Sequence, residues 1–130
     1  MNLRNKLWNL NKLVHKYLKE EIIMAWKRVQ VRTIPEGGAT PGTAESDFEK
    51  MSDEVMSYIK TNYDDTGKRT SFSLSSSDDG LVLTYTSVFR DEASKNEMLS
   101  DSTIAAEITR RDNLNAAAGI TKEVTLDEEV

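Results

Sequence analysis

Residues 81–89, Leu-Val-Leu-Thr-Tyr-Thr-Ser-Val-Phe, constrain the chain more than any other segment. The run is rich in β-branched and aromatic residues and too short for an ordinary helix, so it specifies a strand. Its odd positions, Leu81, Leu83, Tyr85 and Phe89, form the main apolar face. Asp79-Gly80 just before it is a hairpin signal, and Asp91 just after it can cap a helix. The segment therefore calls for a partner strand on one side and a helix on the other.

The neighbouring sequence supplies both. A strand over residues 70–75 places Phe72 and Leu74 on one face. The helix after Asp91 carries Met98, Leu99, Ile104, Ala105 and Ile108, with a second cap available at Ser100-Asp101, where it can break. Gly119 is placed to stop it in the left-handed conformation. A last strand follows over 120–126, with Ile120, Val124 and Leu126 aligned. Upstream, residues 26–34 alternate and end at Pro35, with Val29, Val31 and Thr33 on one face and Arg28, Gln30 and Arg32 on the other. Ser46 and Glu49 have capping-box spacing at the start of a further helix. Phe48, Met51, Val55, Tyr58 and Ile59 form its stripe, and it ends near Asn62.

The order is β-α-β-β-α-β, a split βαβ unit with an antiparallel four-stranded sheet expected. Over roughly residues 25–126 it resembles the ferredoxin-like plait. Through the plait it resembles the dimeric α+β barrel proteins, such as the antibiotic-biosynthesis monooxygenase-like group. The resemblance is one of element order and carries over no functional residue. It implies helices on one sheet face and an open second face, which closed homodimers cover by pairing two such faces. On this reading the valines of the first strand meet the helices. Trp26, Arg28, Gln30 and Arg32 line the open face as a polar, salt-sensitive binding surface.

Residues 1–23 stand apart. Leu3, Leu7, Leu10, Val14 and Tyr17 recur at helical steps, and the segment carries net charge +3 against −8 for the remainder. It reads as an amphipathic basic helix lying on a membrane surface or in a partner groove, or as a helix packed on its own domain. A third reading is a translated leader. Residues 19–23 can be encoded AAG GAG GAA ATA ATA ahead of an ATG for Met24, a string that contains a bacterial ribosome-binding sequence. Met24 is then the initiator and the source a bacterium or phage. The domain boundaries expected are 1–23 for the helix or leader, 24–126 for one α+β domain and 127–130 for an acidic tail.

Composition removes several chemistries. There is no cysteine and one histidine, His15, so thiolate zinc sites, cysteine nucleophiles and multi-histidine metal sites are excluded. The acidic body argues against an electrostatic grip on nucleic acid. Trp26, Lys27, Arg28, Arg32 and Tyr85 could form a base-stacking sheet, but the RNA-recognition string is missing. Asp64-Asp65 and Asp78-Asp79 could suggest a hard-cation site, yet both sit where turns use aspartate. Gly37, Gly38 and Gly42 fit neither phosphate-loop spacing. Arg110 and Arg111 suit the end of a helix, and Glu107 is spaced to pair with Arg111.

The sequence therefore leads to a small, acidic, non-catalytic bacterial or phage protein that acts through protein–protein contact, as a homodimer or assembly component. No metal or cofactor is expected. A membrane partner is expected only if residues 1–23 are expressed and surface-active. The expected compartment is the cytoplasm, that of the host or the virion for a phage product. The alternative is a cofactor-independent oxygenase or isomerase of the dimeric-barrel kind. An apolar cavity with convergent polar groups separates the two readings.

Overall fold

The computed structural model describes residues 24–37 and 50–130. Four strands, β1 (Trp26–Thr33), β2 (Arg69–Ser76), β3 (Val82–Phe89) and β4 (Thr121–Glu129), form one sheet in the order β2-β3-β1-β4. Every neighbouring pair is antiparallel. Three α-helices complete the described chain: α1 (Asp53–Ile59), α2 (Glu92–Ser100) and α3 (Ser102–Ala117). A π-helical turn, Lys60–Asp64, extends α1.

This corrects the expected β-α-β-β-α-β order. Among the described residues the chain opens on β1, and two helices separate β3 from β4, the break falling at Ser100-Asp101, where the sequence offers a second cap. The expected helix of residues 1–23 lies outside the described residues. The break between α2 and α3 has a local cause. Asp101 adopts φ −59° and ψ 124°, which no helix continues through. Its carboxylate then accepts from the amides of Thr103 and Ile104 at the start of α3. The same carboxylate accepts from the hydroxyls of Tyr58 at 2.8 Å and Tyr63 at 2.7 Å. Three elements converge on one side chain, and that gain outweighs an unbroken helix.

α1 starts later than its stripe suggests. The Ser46 and Glu49 positions lie outside the described residues, and the observed N-cap is Ser52, whose hydroxyl accepts from the Val55 amide. A capping box would return the Ser52 N–H to a carboxylate three residues on. Here Glu107 of α3 accepts it at 3.0 Å. The reciprocal half of the cap comes from another element, which docks α1 on α3.

The sheet register decides which side chains meet the helices. Trp26 pairs with Phe89, Arg28 with Ser87, Gln30 with Tyr85 and Arg32 with Leu83. Paired residues share a face, so the even positions of β1 lie with the apolar face of β3. Phe89, Val55, Ile59, Tyr63, Met98 and Ile104 form the main core, with Trp26 packed against it. Ile34, Leu83 and Ile120 form a second cluster. The expected assignment of β1 is thus reversed. Val29, Val31 and Thr33 share the other face with Val82, Thr84, Thr86 and Val88, while Arg28, Gln30 and Arg32 point toward the helices.

β4 also differs from expectation. It runs to Glu129, so residues 127–129 are strand rather than solvated tail. Asp127 accepts a hydrogen bond from the Trp26 indole and pairs with Lys95 at 3.4 Å. A bulge between the partners of Val29 and Gln30 puts Val124 and Leu126 on opposite faces. Two glycines meet the expectations for them. Gly80 (φ 74°) closes the β2–β3 hairpin and Gly119 (φ 78°) ends α3, both in the left-handed region that favours glycine.

Candidate functional site

The helices do not fill the space above the sheet. Between them and the strands lies a cavity of about 510 Å³. β1 contributes Arg28, Gln30 and Arg32 to its lining, and β3 contributes Leu83, Tyr85, Ser87 and Phe89. Met51, Met56 and Ile59 approach from α1 and the residues before it. Met98, Leu99 and Ile108 come from α2 and α3. Phe72 and Leu74 of β2 complete the apolar wall. These two and Met56 remain 49%, 53% and 46% exposed, which places an apolar mouth along the β2 side.

The polar part of the lining is basic. Arg28, Arg32, Lys50, Arg69 and Arg111 border the cavity, and no carboxylate or imidazole does among the described residues. Each cation has its own circumstances. Arg69 is bidentate to Asp64, at 2.6 and 2.9 Å, and lies 4.6 Å from the Phe72 ring centre. Arg32 is 1% exposed and gives one N–H to Asp112 at 2.8 Å. Asp112 also receives Lys122 at 2.9 Å, so one carboxylate serves two cations.

Arg111 is buried, with its guanidinium 6.0 Å from the Tyr85 ring centre, and the Arg32 guanidinium stands at the same distance. Burial, and then the charge of Arg32, push Arg111 below its ordinary value. Burial raises the Tyr85 phenol, against the pull of Arg111 and Arg32. The Tyr85 ring thus has two guanidiniums beside it.

Arg28 is the least compensated. Its side chain makes one hydrogen bond among the described residues, from Nη1 to Gln30 Oε1 at 3.3 Å. Its Nε is buried with no acceptor, and so is the Nε of Arg32. Buried guanidinium donors without acceptors are costly, because the water they lose is not replaced.

Three of the four sequence-derived binding residues are therefore together, but not on the open face. Arg28, Gln30 and Arg32 line the cavity, while Trp26 lies beyond it, packed against the main core, with Lys95 Nζ 4.9 Å from its ring centre. The base-stacking arrangement loses its exposed surface for the same reason. Arg69, Arg111, Phe72, Leu74 and the methionines were not assigned to a site by sequence. The usable signal was the shared parity of Phe72, Leu74 and Tyr85 along a hairpin with a known turn. Glu107, spaced to pair with Arg111, is held by Arg110, whose Nε lies 3.1 Å away, and also feels the charge of Arg111.

The acidic pairs serve turns and surface contacts. Asp64 binds Arg69, Asp65 binds Lys60, and Asp79 accepts from the Ser77 hydroxyl and the Leu81 amide. Among the described residues no cluster of three potential metal ligands occurs, and no helix is long and apolar enough to cross a membrane. Comparison with family models, curated proteins and solved structures gives no match to the chain.

Proposed function

We propose that the chain is a small-molecule-binding protein whose ligand occupies the cavity between sheet and helices. One observation carries this reading: a cavity of about 510 Å³ with a mainly apolar wall and convergent polar groups on its floor. Arginines hold charge and do not exchange protons near neutrality. The described lining therefore suits retention of a ligand better than general acid–base chemistry, which favours binding over the oxygenase or isomerase alternative. The expectation of protein–protein contact through Arg28 and Arg32 needed both on the open face, and they lie on the helix side.

A filling substitution tests the reading. Ser87 lies on the floor, paired with Arg28 on one side and Phe72 on the other. Saturable one-to-one binding of an environment-sensitive naphthalene dye to the wild type is expected. Ser87→Phe is expected to abolish it while leaving a cooperative thermal melt. Unchanged dye binding by Ser87→Phe would place the dye elsewhere and remove the basis of the proposal.

A further inference from the structure

The unsatisfied groups of the cavity point to the head group of its ligand, an inference that rests on the binding reading above. We propose that the ligand is an anionic amphiphile. Its acidic group lies against Arg28 and Gln30, and its apolar body reaches the mouth formed by Met56, Phe72 and Leu74.

Three observations converge. The Arg28 guanidinium borders the cavity, has only the neutral Gln30 amide as a described hydrogen-bond partner, and keeps a buried Nε–H with no acceptor. Four residues along the strand, about 13 Å away, Arg32 is 1% exposed and its Nε–H also lacks an acceptor. Asp112, its carboxylate partner, is shared with Lys122. Among the described residues positive charge thus exceeds negative along the floor, in a protein whose net charge is −5. An anion would supply the missing acceptor at Arg28 and offset the mutual repulsion of the cations beyond it. Charge-assisted hydrogen bonds of this kind are the strong ones.

The other end of the cavity has the opposite character. Three of the large apolar side chains most exposed to solvent, Met56, Phe72 and Leu74, border it together. They leave apolar surface that a small inorganic anion would not cover. A carboxylate and a phosphate head share the required chemistry.

The test uses the full chain and four probes below their micellar concentrations: dodecanoate, dodecyl phosphate, dodecanol and inorganic phosphate. Calorimetry and thermal shift are the readouts. One or both anionic amphiphiles are expected to bind at least tenfold more tightly than dodecanol, and the tighter of the two identifies the head. Inorganic phosphate is expected to bind at least tenfold more weakly than either. Arg28→Gln is expected to weaken the anionic amphiphiles at least tenfold and leave dodecanol unchanged, with Arg28→Lys recovering part of the loss. A circular dichroism melt of each variant separates lost binding from lost fold. Equal affinity for dodecanol and dodecanoate, or an Arg28→Gln variant with wild-type preference, would overturn the head-group assignment and leave the binding reading standing. Failure of all four probes, together with failure of the naphthalene dye, would overturn both.

Discussion

Asp112 is the residue on which the buried charge depends. It pairs with Arg32, which is almost fully enclosed, and with Lys122. Its carboxyl is penalised by burial, but hydrogen bonds from Lys122 and Arg32 outweigh that and hold it below the usual carboxylate range. Removing one partner of such a pair leaves a charge in a poor solvent. Asp112→Asn is therefore expected to destabilise the protein by about 3 kcal/mol, measured by urea denaturation. The double variant Arg32→Met/Asp112→Leu is expected to lose less, since no enclosed charge is then left alone. A double variant that loses as much as the two single changes combined would show that the pair is worth little. Asp101 invites a similar comparison. Asp101→Ala removes a helix cap and the acceptor of two tyrosines, for an expected loss of about 1–2 kcal/mol. Asp101→Asn keeps a capping oxygen and is expected to lose less in the same assay.

At the scale of elements, the junction of α1 with α3 is the informative one. Glu107 is held below its usual range first by the Arg110 hydrogen bond, opposed by burial, and then by the Ser52 amide. Glu107→Gln keeps an acceptor for that amide, whereas Glu107→Ala does not. Thermal melts are expected to rank wild type, Glu107→Gln and Glu107→Ala in falling order. Equal loss in both variants would mean that the Arg110 attraction, not the cap, dominates. The same junction shows why some features were legible in the sequence and others were not. Asp91, Gly80 and Gly119 announce themselves because caps and left-handed turns are set by a residue and its immediate neighbours. Ser52 does not, because its reciprocal partner lies 55 positions away. The faces of β1 fail for a related reason. Alternation shows that residues 28, 30 and 32 share a face, but the pairing with β3 decides which face that is, and register belongs to a pair of strands. Arg28, Gln30 and Arg32 could thus be recognised as one group, while the cavity they border could not. Arg69 and Arg111 reach it from elements far away in sequence.

Across the whole molecule, the carboxylates set the pH response. Asp91, Asp101, Glu107 and Asp112 all lie below their ordinary values in the fold. A depressed carboxylate stabilises the folded state above its unfolded value, about 4, and the contribution is lost as pH falls through the folded value. The melting temperature is expected to be flat from pH 7 to about 5 and to fall steeply below about 4. Tyr63 and Tyr85, raised chiefly by burial, work at the other end. A raised phenol contributes stability below its unfolded value, about 10, and loses it as pH rises further. A second decline above that pH is therefore expected in the same series. A melting temperature independent of pH between 3 and 5 would show that these contacts do not persist in solution.

The borrowed cap of α1 also bears on the order of events during folding. Seven α-helical residues and one π-helical turn are too few for a helix to persist alone in water, and the Ser52 N–H has its acceptor only once α3 has arrived. α1 should therefore join late, after the α3 segment has docked, and open early. In native-state hydrogen exchange the amides of residues 56–59 are expected to be released together, at lower denaturant than those of α3. Because α1 and the residues before it contribute Met51, Met56 and Ile59 to the cavity, that partial opening would expose the binding space without unfolding the sheet.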